Sequence, residues 1–261
     1  MSIVKNYIKI PDGQLHYIWR SGIGTPIVCF HQTASSCESY RKIMQQGVIP
    51  NPMYAFDTPG FGGSFDPIGM PLFEQFALWI KEGIKALGIT EFYGLGHHTG
   101  AGIVVELSAL DQKSVRAMIL IGPYPMTADE REAFRKDFSS PIAPTMDGEY
   151  LLTTWNYLMK LGANNDLTLH HNEVLNHVRA YYSRYQTYSS VWDYDFTTPY
   201  KNATCPIMLM ASESDVLFPF LERAKELQPN ATRHIIDGAN FEPDLDSENI
   251  SRLIGEFVST T

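Results

Sequence analysis

Cysteines, clustered basic residues and long apolar runs are all scarce in this sequence of 261 residues. Its three cysteines form no CxxC pair, which argues against a disulfide framework and against a zinc site. The 20 lysines and arginines are scattered and outnumbered by 29 acidic residues, so we expect no electrostatic attraction to nucleic acid or to an anionic membrane. No apolar run approaches the length of a membrane span, and residues 1–9 lack the apolar stretch of a secretory signal. These absences predict a soluble, cytoplasmic protein.

The sequence does contain enough apolar material for one large folded unit, with 44% hydrophobic and 19% charged residues. Short apolar runs typical of buried strands alternate with stretches whose apolar residues recur at helical spacing. The predicted strands are 3–10, 14–20, 26–30, 53–56, 91–95, 115–121, 206–211 and 232–236, and the helices between them are 73–87, 100–110, 219–227 and 247–258. This alternation predicts an α/β fold with a mostly parallel sheet and helices on both faces.

One segment, residues 123–199, interrupts the alternation because it contains no convincing buried strand. Its helix-like stretches, rich in tyrosine and tryptophan, are 128–138, 148–161 and 172–188. We therefore expect a core formed by residues 1–122 and 200–261, with residues 123–199 inserted as a helical cap. Its aromatic side chains are explained partly by ordinary packing and partly by a pocket for an apolar or aromatic small molecule.

The most specific local pattern follows the strand at 91–95, where residues 96–100 (GHHTG) lead directly into a helix. The pattern resembles the nucleophile elbow G-x-S-x-G of the α/β-hydrolase fold superfamily, whose glycines allow a strained turn that exposes the central residue. Other landmarks of the superfamily occur in the matching order, namely an oxyanion loop at 31–33, a D-x-P-G-x-G-x-S loop at 57–64, an acid at Asp215 and a base loop around Asn240. The resemblance spans nearly the whole chain and implies the α/β-hydrolase fold with an inserted cap.

Three positions depart from the pattern of the superfamily. His98 stands in place of the elbow nucleophile, Asn240 in place of the base histidine, and Gln32 in place of a glycine in the oxyanion loop. Only Asp215 keeps its residue type. Without a hydroxyl or thiol at the elbow the usual Ser-His-Asp mechanism is excluded. The mechanism of epoxide hydrolases and dehalogenases is excluded as well, because it needs an elbow carboxylate.

We interpret His98 as the central group of a non-standard triad, acting as a general base or, alternatively, as a nucleophile. Asp215 and Asn240 are expected to orient it, one of them by binding its far nitrogen and so selecting a tautomer or raising its pKa. The expected oxyanion hole combines the backbone N–H of Thr99 with that of Gln32 or Thr33. The residues expected at the substrate pocket are His31, which also anchors its loop, Trp155, Tyr124 and Phe241.

The remaining candidate groups have plainer interpretations. Glu213 and Glu242 lie near the acid and base loops and are expected to be surface carboxylates. Cys29 and Cys37 have no histidine partner in the frame of the triad, so we expect inert thiols. No set of histidines and carboxylates has the spacing of metal ligands, and we expect neither a metal nor another cofactor.

The resemblance and its departures together predict a cofactor-independent enzyme that acts on a small carbonyl-containing molecule. Two reaction types stay open. Hydrolysis of an ester or lactone is favoured by the resemblance, and a lyase step that breaks a C–C or C–X bond is favoured by the altered triad. The alternative is a catalytically inactive receptor or binding protein on the same fold. No pattern in the sequence indicates the oligomeric state.

Overall fold

The computed structural model describes residues 2–261, and its strands follow the apolar runs of the sequence. The eight strands are β1 Val4–Ile10, β2 Gly13–Arg20, β3 Ile27–Phe30, β4 Met53–Phe56, β5 Phe92–His97, β6 Val115–Ile121, β7 Ile207–Ser212 and β8 Thr232–Ile236. They form one sheet in the order β1-β2-β4-β3-β5-β6-β7-β8. The pairs β1–β2 and β2–β4 are antiparallel and the other neighbours are parallel, which confirms the predicted sheet.

The helices predicted outside residues 172–188 begin and end within two residues of the predicted positions, and the described residues form eleven α-helices. They are α1 Arg41–Gln45, α2 Phe73–Ala86, α3 Thr99–Leu110, α4 Ala128–Phe138, α5 Glu149–Lys160, α6 Leu167–Arg179, α7 Tyr181–Asp193, α8 Thr197–Lys201, α9 Leu221–Leu227, α10 Glu242–Leu245 and α11 Ser247–Val258. In α2 the residues at helical spacing form the buried face, among them Phe73, Phe76 and Ile80. Among residues 2–261, no helix combines the length and the apolar character needed to cross a membrane.

The central strands β3, β5, β6 and β7 are almost wholly buried, as their apolar runs predicted, whereas the outer strands β1 and β8 are mostly exposed. Side chains alternate along β3, so Val28 and Phe30 pack in a cluster with α2 and α3. Ile27 and Cys29 point to the opposite face and pack in a second cluster with α1 and α11. Burial on both faces explains why these strands carry no polar alternation.

Between β6 and β7 the chain forms five helices, α4 to α8, which we call the inserted helices. Here one prediction is wrong: the single helix expected at 172–188 is two helices, α6 and α7, which meet at Ala180. Ala180 packs against Phe61 and Ala34, and this tertiary contact lies at the junction of the two helices. No glycine or proline marks the break in the sequence, so local pattern could not predict it.

The connections that leave the carboxyl ends of four parallel strands carry the predicted site residues. The elbow follows β5, the oxyanion loop follows β3, the acid loop follows β7 and the base loop follows β8. Since the carboxyl ends of parallel strands meet at one edge of a sheet, the topology brings these four loops together.

Candidate active site

His98 occupies a strained turn between β5 and α3, with φ 49° and ψ −112°. A positive φ is unusual for a side chain other than glycine, so the surroundings must hold the residue in this conformation. The glycines on either side are required by close packing. A Cβ atom on Gly96 would collide with the backbone of Gly100, and one on Gly100 would collide with the carbonyl oxygen of Phe30. The GHHTG pattern therefore builds a tight elbow with the imidazole at its tip.

The imidazole of His98 pairs with the carboxylate of Asp215. His98 Nε2 lies 2.9 Å from Asp215 Oδ2, and the Asp215 side chain is fully buried. The other carboxylate oxygen, Oδ1, accepts a hydrogen bond of 2.8 Å from the backbone N–H of Leu217. Because the carboxylate accepts, Nε2 carries the proton, and the neutral ring keeps its lone pair on Nδ1.

Gly122, at the end of β6, makes room for this pair and was not singled out in the sequence. Its φ is +59°, and a Cβ atom there would lie 2.7 Å from His98 Nε2 and 2.9 Å from Asp215 Oδ2. The signal in the sequence that could have indicated Gly122 is its place as a glycine directly after a buried strand. The side chains that require it come from distant parts of the chain.

Asn240 lies in the wall of the site but does not orient His98, and this expectation is corrected. Its Oδ1 accepts from the backbone N–H of Val216 at 3.2 Å, and its Nδ2 donates to the carbonyl of Leu161 at 3.0 Å. Its own carbonyl accepts from Gln32 Nε2 at 2.9 Å. The amide thus ties the base loop to the acid loop and to the inserted helices. Of the two partners considered for His98, Asp215 is the one in contact.

Behind Asp215 lies a second buried carboxyl, Glu242, which the sequence interpretation wrongly assigned to the surface. Glu242 is fully buried, accepts from the backbone N–H of Ser212 at 3.3 Å and hydrogen-bonds to Asp215. Burial and the neighbouring Asp215 raise the pKa of Glu242 well above its usual range. Glu242 is therefore a neutral acid that donates to Asp215, which leaves Asp215 as the anionic partner of His98.

His97, the residue before the elbow tip, faces Glu242. His97 Nε2 lies 2.9 Å from Glu242 Oε2. Burial, followed by the proximity of His98, lowers the pKa of His97 well below its usual range. His97 is thus a neutral, buried ring.

The predicted oxyanion loop lies against the start of α3. Thr33 Oγ1 and Thr99 Oγ1 are 3.0 Å apart, which joins the loop after β3 to the elbow. Thr99 is the first residue of α3, so its backbone N–H has no partner within the helix. Among the described residues, no carbonyl or side chain accepts from the backbone N–H of Gln32 or Thr33. These donors could receive a developing negative charge beside His98.

His31 has a structural place and does not line the cavity, which corrects its assignment to the pocket. Its Nδ1 donates to the carbonyl of Gln32 at 2.7 Å, and its Nε2 accepts from the backbone N–H of Thr58 at 3.0 Å. Burial lowers the pKa of His31, so the ring is neutral, and both of its nitrogens take part in hydrogen bonds. It connects the oxyanion loop to the loop at 57–64, as the anchoring interpretation expected.

A cavity enclosing about 590 Å³ of empty space, part of it open to solvent, lies over the elbow. Of the residues predicted for the site, those that line it are Gln32, Thr33, His98, Thr99, Tyr124, Asn240 and Phe241. The inserted helices add mostly aromatic side chains, namely Phe134, Phe138, Tyr157, His177, Tyr188 and Trp192. No Asp, Glu, Lys or Arg among the described residues lines this cavity. It is therefore suited to an uncharged, apolar or aromatic molecule.

Trp155 does not line the cavity, and this expectation is wrong. Its half-buried ring lies against that of His170, with the centroids 3.9 Å apart. Composition could indicate that aromatic residues concentrate in this segment. Which of them face inward depends on how α4, α5, α6 and α7 pack on one another, and this packing is tertiary.

Two groups of side chains come close enough together to be considered as metal ligands, contrary to the expectation from spacing. In His16, Cys37 and Asp57 the possible ligand atoms lie within 4.8 Å of one another, as they do in His97, His98 and Glu242. In the first group His16 Nδ1 is 2.7 Å from Asp57 Oδ2, whereas tetrahedral zinc ligands are roughly 3.4 Å apart. Burial raises the pKa of Cys37 well above its usual range, so the thiol stays protonated.

The first group is thus a hydrogen-bonded cluster outside the triad, in which Cys37 lies next to a histidine. Cys37 Sγ lies 3.7 Å from His16 Nδ1, and the backbone N–H of Cys37 donates to Asp57 at 2.7 Å. The second group shares His98 and the buried Glu242 with the candidate active site itself. It offers one imidazole already paired with Asp215 and one neutral carboxyl.

Comparisons with known proteins agree with the fold described above. Residues 25–142 match the sequence model of a family described as having the alpha/beta hydrolase fold. A serine hydrolase-like protein of Danio rerio is 26% identical over 122 residues, which are 45% of this chain and 37% of that protein. The chain thus matches little more than a third of the length of this curated relative.

Solved structures resemble the chain over almost its full length. An enol-lactonase from Burkholderia xenovorans superposes with a TM-score of 0.80 and 14% identity, covering 97% of this chain and 100% of the other. An E-2-(acetamidomethylene)succinate hydrolase superposes with a TM-score of 0.78 and 20% identity, covering 99% and 100%. A haloalkane dehalogenase variant from Bradyrhizobium elkanii gives 0.76 at 15% identity, covering 100% and 98%. At such identities the likeness concerns the fold.

Proposed function

Because the chain has the α/β-hydrolase fold, we propose that it is a cofactor-independent enzyme acting on a small, uncharged carbonyl compound, with His98 as its general base. The observation that carries this proposal is the 2.9 Å contact between His98 Nε2 and the buried Asp215. This contact directs the lone pair to Nδ1 of a ring that lines the cavity. Proton transfer requires a base that is held in place in the correct tautomer, and the strained elbow holds His98 in this way.

In the proposed reaction His98 Nδ1 removes a proton from a water molecule as the water attacks the substrate carbonyl. The imidazolium that forms is stabilised by Asp215 through the proton on Nε2. Glu242 stays neutral and donates to Asp215, so a second negative charge does not compete with the first. His98 then returns the proton to the leaving oxygen.

The backbone N–H of Thr99, together with that of Gln32 or Thr33, is proposed to stabilise the oxyanion of the tetrahedral intermediate. The contact of 3.0 Å between the Thr33 and Thr99 hydroxyls supports this, because it holds the two segments side by side. Such donors gain strength in a cavity that excludes water.

Ester or lactone hydrolysis is the preferred reaction. An enol-lactonase and an enzyme named as a succinate-derivative hydrolase share this fold, and the aromatic cavity accepts an uncharged ester or lactone. A C–C or C–X lyase step is the second choice, because it needs only the base and the oxyanion hole. We also propose that residues 123–199 act as a cap over the core of residues 1–122 and 200–261.

A catalytically inactive binding protein is the alternative. It is favoured by Asn240, which stands in the place of the base histidine and whose amide is engaged by the acid loop and by Leu161. A protein of this kind would keep the aromatic cavity and would hold a ligand without converting it.

Turnover of a panel of aryl esters and lactones by the wild-type protein and by His98→Ala tests the proposal. We expect turnover in the wild type and a loss of about 10²- to 10⁴-fold in His98→Ala, the range typical of general-base removal. His171→Ala is the matched control, because His171 is an exposed histidine on α6. Equal turnover in His98→Ala and the wild type would refute the role of His98. Binding without turnover in the wild type would favour the alternative.

A test for a covalent intermediate separates a base from a nucleophile. Mass spectrometry of the protein quenched during turnover should find no acyl group on His98 if it acts as a base. Fluorophosphonate reagents should not label the tip of the elbow, because His98 carries no hydroxyl. An acylated His98 would establish the nucleophilic route instead.

A further inference from the structure

His177 lies on α6 and faces the cavity from the inserted helices, whereas His98 faces it from the core. The His177 side chain is only 6% exposed. The proposed hydrolysis does not use this residue.

The tautomer of His177 is fixed by its own helix. Nδ1 lies 2.9 Å from the backbone carbonyl of Glu173, one turn earlier. A carbonyl oxygen only accepts hydrogen bonds, so Nδ1 must carry the proton and Nε2 must hold the lone pair. Burial and then the charge of Arg184 lower the pKa of His177 to about 3, which keeps the ring neutral at ordinary pH.

His177 Nε2 has no hydrogen-bond donor among the described residues. Nε2 is not among the fully buried polar atoms that lack a partner, so it is exposed to some degree, and His177 is one of the residues that line the cavity. His177 thus offers a fixed, uncharged acceptor in a wall that otherwise consists of aromatic and aliphatic side chains.

The polar groups next to His177 are engaged with one another. The Arg184 guanidinium lies over the rings of Tyr157 and Tyr188 and donates to the carbonyl of Ser140 at 2.8 Å. The Tyr157 hydroxyl accepts from Arg184 at 3.3 Å, and the Tyr188 hydroxyl donates to the carbonyl of Thr33 at 3.0 Å. This network holds the wall rigid around the free acceptor and leaves Arg184 outside the cavity lining.

We propose that His177 Nε2 is a specificity subsite that accepts a hydrogen bond from a hydroxyl or N–H group of the substrate. The substrate class is then an uncharged aromatic ester or lactone that carries such a donor away from its reacting carbonyl. The assignment of the reacting carbonyl rests on the proposed function, but recognition of the donor does not. A site that must pair a substrate hydroxyl discriminates against analogues that lack it, because the buried acceptor is otherwise left unpaired.

The probes for the test are methyl phenylacetate, its 2-, 3- and 4-hydroxy derivatives and the corresponding methoxy derivatives. Their dissociation constants are measured by calorimetry on His98→Ala, in which turnover does not interfere, and their KM values on the wild type. We expect at least one hydroxy derivative to bind roughly tenfold more tightly than methyl phenylacetate, and its methoxy counterpart to show no such gain.

His177→Phe should remove this preference while it keeps an aromatic ring in the wall, and His171→Phe, an exposed change on the same helix, should preserve it. The proposal is overturned if no hydroxy derivative is preferred, if its methoxy counterpart binds equally well, or if none of these aromatic esters binds. Persistence of the preference in a folded His177→Phe protein overturns it too. If that variant does not fold, the hydroxy-against-methoxy comparison on the wild type decides. A hydroxyl preference without any turnover would refute only the proposed function.

Discussion

Replacing Asp215 with asparagine tests the tautomer on which the proposed chemistry depends. In the wild type Oδ1 accepts from the Leu217 N–H at 2.8 Å and Oδ2 contacts His98 Nε2 at 2.9 Å. In Asp215→Asn the amide oxygen must take the Leu217 N–H, since an amide nitrogen does not accept. The NH₂ group of the new side chain then faces the N–H at His98 Nε2, so two hydrogen-bond donors oppose each other.

His98 can relieve this conflict only by moving its proton to Nδ1, which leaves Nε2 as the acceptor. The nitrogen that lines the cavity then has no lone pair, and the negative charge that stabilised the imidazolium is gone. Loss of general-base catalysis amounts to about 10²- to 10⁴-fold in kcat, or roughly 3–5 kcal/mol of transition-state free energy. KM should change little, because Asp215 does not line the cavity.

The assay is steady-state hydrolysis of the best aryl ester or lactone found for the wild type, with thermal unfolding as a check of folding. Glu213→Gln is the matched control, since Glu213 is an exposed carboxylate two residues away, and it should keep wild-type kcat. A kcat for Asp215→Asn within threefold of the wild type would refute the reasoning. A rise in KM with unchanged kcat would also refute it.

Two further predictions concern packing and pH. Gly122→Ala should lower the free energy of unfolding by roughly 2–4 kcal/mol and abolish turnover, because its Cβ atom collides with His98. Gly88 also has a positive φ, +74°, but has open space around it. Gly88→Ala should therefore lose only the stability that the strained backbone costs, and it should keep wild-type kcat. Burial raises the pKa of Glu173 from 4.5 to about 7. Between these values the unfolded state has released its proton and the folded state has not, so the contribution of Glu173 to stability falls by about 3 kcal/mol as pH rises. As pH rises over this interval, the free energy of unfolding of Glu173→Gln should fall less than that of the wild type in denaturant titrations. Parallel pH profiles of the two proteins would contradict the assignment. For the glycine variants, equal loss of turnover in Gly88→Ala and Gly122→Ala would contradict the collision.

Much of the fold could be predicted because its elements are local. The strands β4 and β6 begin and end where the pattern placed them, and both are mostly apolar and buried. The limits of β8 also match the predicted ones, although most of its residues are exposed. The junction of α6 and α7 at Ala180 escaped prediction, because the contacts of Ala180 with Phe61 and Ala34 are distant in sequence.

The candidate site divides in the same way. His98 could be placed at the tip of a tight turn, because strand, glycines and helix are contiguous. Whether Asp215 or Asn240 contacts it could not be decided, since the two loops are near in space and differ only in side-chain direction. Glu242 was assigned to the surface because its burial depends on β7 and on Asp215, neither of which is a sequence neighbour.

The sequence alone determined the order of the strands along the chain, the tight elbow and the absence of a hydroxyl at its tip, because each depends on contiguous residues. Only the tertiary structure decided which groups meet: His98 with Asp215, Gly122 beneath both, and His177 across the cavity with its acceptor free. The physical reason is that hydrogen bonds and collisions act over a few ångströms. Residues more than a hundred positions apart come within that range only when the sheet brings the carboxyl ends of its strands together.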